Sequence, residues 1–330
     1  MTAVSAVKPG LRVCAKVPAS TANLGPGFDA LGMALELYAW VEMEAAETTR
    51  ITLVGDQLEG IPTDKSNLIY KVAQQVFARA GVSVPELDIS IRSDIPLTRG
   101  LGSSAAAIVG GMAAANALIG SPLSDDDLFQ MAAALEKHPD NVGAAVFGGI
   151  VVAAVNGERA ELIRIEPPEA LGALVIVPQF ELATEKAREV LPRTLSLPDA
   201  VFNVGHASLL VAALASGRLD RVAGAMKDRI HEPFRASLVP GLTEVLEGAV
   251  ANGAIGSALS GAGPTVLTLI DHSKGEEQLQ RLEQFLLGTM DAQGIACEKM
   301  LLKPCREGVT VTSLPGKQPL SGVSEGGAKQ

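Results

Sequence analysis

The chain has 330 residues, with 27 basic and 37 acidic side chains and a formal net charge of −10. At 47% apolar and 19% charged residues it can fill a sizeable core, which excludes the disordered class. The acidic balance argues against nucleic acid or a membrane surface as partner, since both are held through basic side chains. A small anionic ligand stays open, because a few arginines and backbone N–H groups suffice for one.

The length allows two domains. Cys14, Cys297 and Cys305 are odd in number and widely spaced, which fits neither a disulfide framework nor a metal site and points to a reducing cytoplasm. The first residues lack the apolar stretch of a signal peptide, and apolar runs such as Ile150–Val155 are too short to span a bilayer, so a soluble protein is expected.

In chain order, alternation predicts strands at 11–18 and 38–45, separated by a Gly- and Pro-containing loop. A helix is expected over Asn67–Ala80, capped by Asp64 or Ser66, then a strand over Leu87–Arg92. The Pro96–Ser104 loop leads into an alanine-rich helix, Ala105–Leu118. Ser124 and three aspartates open a second helix, Leu123–Leu135. Strands follow at Phe147–Val155 and Leu174–Val177, with the domain boundary expected in Glu158–Leu171 around Pro167 and Pro168. The second half offers helices at Glu185–Leu191, Asn203–Ser216, Leu219–Lys227, Leu242–Asn252 and Gly275–Ala292. Strands are expected at Val266–Ile270 and Glu298–Leu302. The division is 1–165, 166–311 and a disordered Gly-, Ser- and Pro-rich tail over 312–330, in an α+β architecture.

Three small-residue loops carry the chemistry. In PLTRGLGSSAAA (96–107), Gly100 and Gly102 permit positive φ, and Ser103 and Ser104 stand where a helix begins. The first turn of a helix has N–H groups without partners and the positive end of the dipole, so it stabilises an anion. The chain contains no Walker A sequence. PASTANLGPGFDALG (18–32) and SALSGAGPT (257–265) are the other two. Read from residues alone, each is either a turn or a ligand-binding loop. EKHPDN (136–141) sets a carboxylate, an imidazole, an aspartate and a carboxamide beside an apolar flank. It reads as solvated helix-end charge or as a site in which Glu136 holds Mg²⁺ with a serine and phosphate oxygens. Arg188 and Arg235 do not stand out on residue type.

Together these segments resemble the GHMP kinases, over roughly residues 12–305 and with the three loops in family order. HPDN followed by FGG, ATEKAREVLP (183–192) and DRIHEPFRASLVP (228–240) are similar to the homoserine kinase branch. The resemblance implies a two-domain α+β fold, N-terminally like ribosomal protein S5 domain 2 and C-terminally a ferredoxin-like α/β plait. It implies ATP and Mg²⁺ as cofactors, L-homoserine as the small-molecule substrate and a homodimer. By resemblance, Pro96, Leu97, Thr98, Arg99, Gly100, Leu101, Gly102, Ser103, Ser104, Ala105 and Ala106 would hold the ATP phosphates. Ser104 and Glu136 would hold Mg²⁺, and Asn23, Asp29, His138, Asp140, Asn141, Thr184, Arg188 and Arg235 would surround homoserine, the arginines on its carboxylate. Asn141 would orient the hydroxyl, while Asp140 would either meet the ammonium or act as base. Lys137 stands where many relatives have glycine. Two rivals stay open: a kinase of the mevalonate or shikimate type, and a non-catalytic module of the same fold.

Overall fold

The structure, a computed structural model, describes residues 7, 10–55 and 58–315. Among them the strands run β1 (Arg12–Ala22), β2 (Leu31–Ala45), β3 (Arg50–Val54), β4 (Leu87–Ser93), β5 (Ile150–Asn156), β6 (Arg159–Ile165), β7 (Leu171–Pro178), β8 (Gly256–Leu259), β9 (Val266–Asp271), β10 (Cys297–Leu302) and β11 (Thr310–Leu314). The helices are α1 (Leu68–Arg79), α2 (Ser103–Leu118), α3 (Asp125–Glu136), α4 (Asp140–Phe147), α5 (Thr184–Glu189), α6 (Leu197–Ala215), α7 (Val222–Ala225), α8 (Glu232–Arg235), α9 (Leu242–Gly248) and α10 (Glu276–Ala292). They build two sheets. The first follows the order β11-β1-β2-β4-β3, with the β5–β6 hairpin joined to the start of β2; the second is β10-β7-β9-β8.

β1 alternates in burial at its start and is wholly buried from Val17 onward, where it enters the interior. Its pairing with β2 shifts register between Pro18 and Ala19, where proline has no N–H to give the ladder. Both strands exceed the expected 11–18 and 38–45, so the intervening loop shrinks to 23–30. α2 is buried nearly all round. A Cβ on Gly110 would lie 2.9 Å from Val41, and one on Gly111 2.7 Å from Val72, so small residues let this helix pack between β2 and α1.

The expected helices and strands are found with several corrections. α1 is capped by Asn67, whose side chain accepts from the Ile69 N–H, and not by Asp64 or Ser66. α3 opens with a Ser124–Asp127 capping box. The expected strand Phe147–Val155 divides into the end of α4 and β5, because Gly148 and Gly149 turn the chain at φ 68° and 69°. The expected helix Leu219–Lys227 breaks into a single turn and the short α7. The chain leaves the first sheet after Ile165 and enters the second at Leu171, but it also returns. β11 pairs antiparallel with β1, so residues 312–314 of the expected disordered tail are strand, while 316–330 lie outside the described residues. α6 corrects another expectation: it is a continuous 19-residue helix, long and apolar enough by length and composition to cross a bilayer. Pro198, Asp199 and Asn203 interrupt the apolar letters without interrupting the helix.

One glycine sets how closely α4 packs on β2. A Cβ on Gly32 of β2 would lie 2.3 Å from the Asp140 carbonyl oxygen, at the first residue of α4. That neighbour is backbone and cannot rotate away. Gly32→Ala is expected to lower stability by about 1–3 kcal/mol, read as a lower urea midpoint; an unchanged midpoint would show that α4 shifts freely on β2.

Candidate active site

A cleft of about 140 Å³ opens where the end of β1, the heads of α2, α4 and α5, and the loop after β8 converge. Its floor is held by three backbone segments. The Ser260 hydroxyl donates to the Gly100 carbonyl at 2.7 Å, Gly261 N–H donates to the Ala22 carbonyl at 3.1 Å, and Thr265 N–H donates to the Arg99 carbonyl at 3.3 Å. A Cβ on Gly100 would stand 2.3 Å from the Ser260 carbonyl oxygen, and one on Gly102 2.0 Å from the Ser20 hydroxyl. Both glycines also have positive φ, 81° and 70°. Gly102 is the N-cap of α2 and offers no side-chain cap, so the head of α2 faces the cleft with its N–H groups available to an anion.

Of the loop residues expected to hold phosphates, Thr98, Gly100, Gly102, Ser103, Ser104 and Ala105 border the cleft. Leu101 and Ala106 are buried beneath it. Pro96, Leu97 and Arg99 line a different cavity, with Glu59, Glu181 and Glu298. A third cavity was not foreseen from sequence: it is apolar, of about 380 Å³, walled by Val41, Leu58, Ile61, Leu68 and Ile91, and shares Thr98, Ser103 and Ser104 with the cleft. Its walls read as ordinary core positions, so no motif marks them.

The Ser104 hydroxyl donates to Glu136 at 2.5 Å. Hydroxyl and carboxylate oxygens are the hard donors Mg²⁺ takes beside phosphate, so this pair fits the ion. Glu136 ends α3, and the next residue, Lys137, takes the left-handed C-cap conformation at φ 65°. Glycine is the usual residue there, so the departure at Lys137 costs backbone strain and leaves the turn intact. His138 Nδ1 lies 2.9 Å from Asp140 Oδ1, and its Nε2 lies 3.5 Å from Glu136. Burial opposes protonation of His138, but the hydrogen bond and the charges of Asp140 and Glu136 prevail and raise its pKa. Asp140 is buried, and its Oδ1 also accepts from the Asn141 backbone N–H at 2.7 Å. Ser20 donates to Asn141 Oδ1 at 2.8 Å, which fixes the carboxamide.

On the opposite wall, Asn23 Nδ2 donates to the Gly261 carbonyl, and its Oδ1 accepts from the Asp29 N–H. Arg188 grips Asp29 with two hydrogen bonds, 3.0 and 2.7 Å. Thr184, the first residue of α5, is exposed at the rim. Arg235 is 2% exposed and is held by the Ala187 and Gly261 carbonyls, each at 3.0 Å. Burial and the neighbouring Arg188 charge lower its pKa to about 10.

Behind Arg235 lies a set of side chains to which the sequence assigned no role, although Asp228, His231 and Glu232 stand in the quoted 228–240 segment. His231 Nε2 lies 2.8 Å from the Gly25 carbonyl, to which it donates, and its Nδ1 faces Arg235 at 3.3 Å. Burial lowers the His231 pKa and keeps the ring neutral, as an acceptor toward Arg235 requires. Asp228 accepts from the N–H groups of Ile230, His231 and Glu232, and from Asn203. Glu232 accepts from the Leu259 N–H, and burial lifts its pKa to about 8. The letters HEPFR look like a helix start and give no hint of this burial.

The GHMP kinases N terminal domain family matches residues 67–149, and the GHMP kinases C terminal family matches 210–286. The homoserine kinase of Deinococcus radiodurans is 48% identical over 78% of this chain and 83% of its own length. That of Desulfitobacterium hafniense is 43% identical over 90% and 98%. The chain belongs to the homoserine kinase family. The crystal structure of the homoserine kinase from Cytophaga hutchinsonii superposes with a TM-score of 0.82 at 29% identity, covering 91% of this chain and 97% of that one. The fold is thus the two-part α+β fold of the GHMP kinases, and family membership implies ATP as phosphoryl donor.

The buried acid Glu232 supplies a test of the charge network. Its folded pKa, about 8, lies above the ordinary glutamate value of 4.5. The folded state therefore binds the extra proton, and its contribution is complete below pH 4.5 and lost as pH rises through 8. Glu232→Gln keeps the acceptor for Leu259 and removes the titration. The variant should match the parent near pH 5 and exceed it by at least about 2 kcal/mol near pH 8.5, in urea titrations at both pH values. A constant difference across the range would rule out a neutral Glu232.

Proposed function

We propose that this chain transfers the γ-phosphoryl group of ATP to the hydroxyl of L-homoserine, giving ADP and O-phospho-L-homoserine, a step towards threonine. The observation that carries the reading is the pairing of sites in one cleft. An anion-binding helix head faces a wall bearing two guanidinium groups, Arg188 and Arg235, beside the carboxylates of Asp29 and Asp140. Such a wall suits an acceptor that carries both a carboxylate and an ammonium group. The free thiols of Cys14, Cys297 and Cys305 agree with a cytoplasmic setting.

In this reading the N–H groups at the head of α2 take the phosphates, and the adjoining apolar cavity takes the base of ATP. Ser104 and Glu136 hold Mg²⁺, which neutralises phosphate charge when bound. Arg235, and Arg188 once released from Asp29, bind the substrate carboxylate in bidentate fashion. Asp140 has Oδ1 engaged by His138 and Asn141, which leaves Oδ2 for the ammonium. Asn141, braced by Ser20, orients the hydroxyl. The hydroxyl oxygen bonds to the γ-phosphorus as the bond to the ADP oxygen breaks. An amide is no base, so the proton leaves to phosphate or solvent. Placement and charge neutralisation carry the rate, as a loose phosphoryl transition state asks.

Asn141→Ala is expected to lower kcat about 100-fold with the KM for homoserine nearly unchanged, as for a lost orienting contact. Arg235→Leu should raise that KM about 100-fold while kcat stays within a few-fold. Steady-state kinetics with homoserine, mevalonate and shikimate as acceptors check both. Normal turnover in the Asn141 variant would sink the orienting role, and equal use of all three acceptors would sink the substrate.

A further inference from the structure

Phe28 stands in the loop 23–30, half-buried, and among the described residues it joins none of the apolar clusters of the core. Its ring meets cations instead. The guanidinium carbons of Arg188 and Arg235 lie over the ring, 5.5 and 5.3 Å from its centre. The His231 imidazole stacks on the same ring at 5.2 Å, with the two planes 28° apart. One phenyl group thus touches both cations of the cleft wall and the imidazole that braces one of them. The faces of such a ring carry partial negative charge and attract a cation within about 6 Å. Two guanidiniums on one wall repel each other, and a shared ring offsets that repulsion without adding a net charge. The backbone that carries the ring is tied on both sides. The Gly25 and Pro26 carbonyls accept from His231 and Asn203 at 2.8 and 3.2 Å. The Gly27 and Asp29 N–H groups donate to the Asn23 carbonyl and the Asn23 side chain, each at 3.0 Å.

The two arginines need the ring to different degrees. Arg235 is also fastened by the Ala187 and Gly261 carbonyls. Arg188 gives both its hydrogen bonds to Asp29, the residue next to Phe28. In the proposed reading, on which this inference rests, the acceptor's carboxylate draws Arg188 off Asp29. The ring is then the contact that keeps Arg188 on the wall. It does so without competing, because a phenyl group has no lone pair and leaves the N–H donors to the carboxylate. An arginine released without such a contact would regain rotamer freedom, and binding would have to remove it again. We propose that Phe28 is a positioning residue for the acceptor: its ring holds Arg188 beside Arg235, so that both guanidiniums meet one carboxylate.

Kinetics and chemical modification of the full chain test this together. Phe28→Leu keeps an apolar side chain and removes the ring; it should raise the KM for homoserine about 10-fold, with kcat and the KM for ATP within about three-fold of the parent. Phe28→Tyr keeps the ring and should restore the parent KM. Without substrate, phenylglyoxal should modify Arg188 about 5-fold faster in the Phe28→Leu chain than in the parent, read by peptide mass spectrometry. The exposed Arg218 serves as control and should not change. Urea midpoints check the fold of each chain, and Phe28→Met is read in place of Phe28→Leu if the latter unfolds. A parent KM in the ringless chain overturns the inference. So does a raised KM with Arg188 no more reactive than in the parent, or a Phe28→Tyr chain as impaired as Phe28→Leu. A parent chain that leaves homoserine unphosphorylated counts against the acceptor, and Arg188 reactivity, which needs no substrate, then decides the role of the ring alone.

Discussion

The cleft depends on three backbone segments lying closer than side chains would allow. Gly100 rests against the carbonyl of Ser260, and Gly102 against the hydroxyl of Ser20. The Ser260 hydroxyl in turn donates to the Gly100 carbonyl. Ser20 belongs to β1 in the first sheet, and Ser260 follows β8 in the second. The head of α2 is therefore fixed to both sheets through groups with almost no rotational freedom. A phosphate bound there would be placed by the scaffold, and the hydrogen-bond donors would need no ordering when it arrives. The three glycine-rich loops are three strands of one knot, which explains why each alone looks like a plain turn.

Arg235 raises a different problem, that of keeping a guanidinium ready under a nearly closed surface. A buried charge is costly unless hydrogen bonds replace its water. Two carbonyls and the His231 ring do so here. The arrangement works because two neighbours stay neutral: His231, whose pKa burial lowers, and Glu232, whose pKa burial raises. A protonated His231 would turn a donor toward Arg235 and break the contact. Asp228 closes the set by capping α8 and reaching α6 through Asn203. The support of this one cleft-lining arginine thus runs through α8, the loop after β1 and α6.

Much of this was legible in the letters, and what was not has physical reasons. Alternation found β1, β2 and β4 because each has a polar and an apolar side; it missed β3, β6 and β11, which are short and largely exposed. α4 hid because DNVGAAVF joins directly to the apolar run of β5, and only the left-handed pair Gly148–Gly149 divides them. The cleft-lining glycines, Ser104, Glu136 and Asn141 could be named because loop chemistry is local. Arg188 and Arg235 could not be told from surface arginines by residue type; only the resemblance singled them out. His231 stands inside the quoted 228–240 segment but nothing there gave it a role, and Asn203 and the apolar cavity beside the 96–107 loop had no signal at all, since long-range packing creates their places.

The two arginines are not equivalent, and the difference bears on selectivity. Arg235 is fastened to backbone carbonyls on a buried wall and keeps its place whatever occupies the cleft. Arg188 is half-exposed and commits both arms to Asp29. On the proposed reading a substrate carboxylate competes with Asp29 for Arg188, and success leaves Asp29 without its partner. An acceptor with an ammonium group brings a positive charge to the wall that Asp29 shares with Asp140, so no carboxylate there is left unopposed. A hydroxy acid without one, such as mevalonate or shikimate, would strand a carboxylate in a half-buried cleft. Leaving a polar group of the site unpaired is what lets an enzyme reject a close analogue by factors of about 10⁴, far beyond what pocket shape alone supplies. Discrimination between acceptors would then reside less in the hydrogen bonds that homoserine forms than in the positive charge that only a zwitterion brings to that wall.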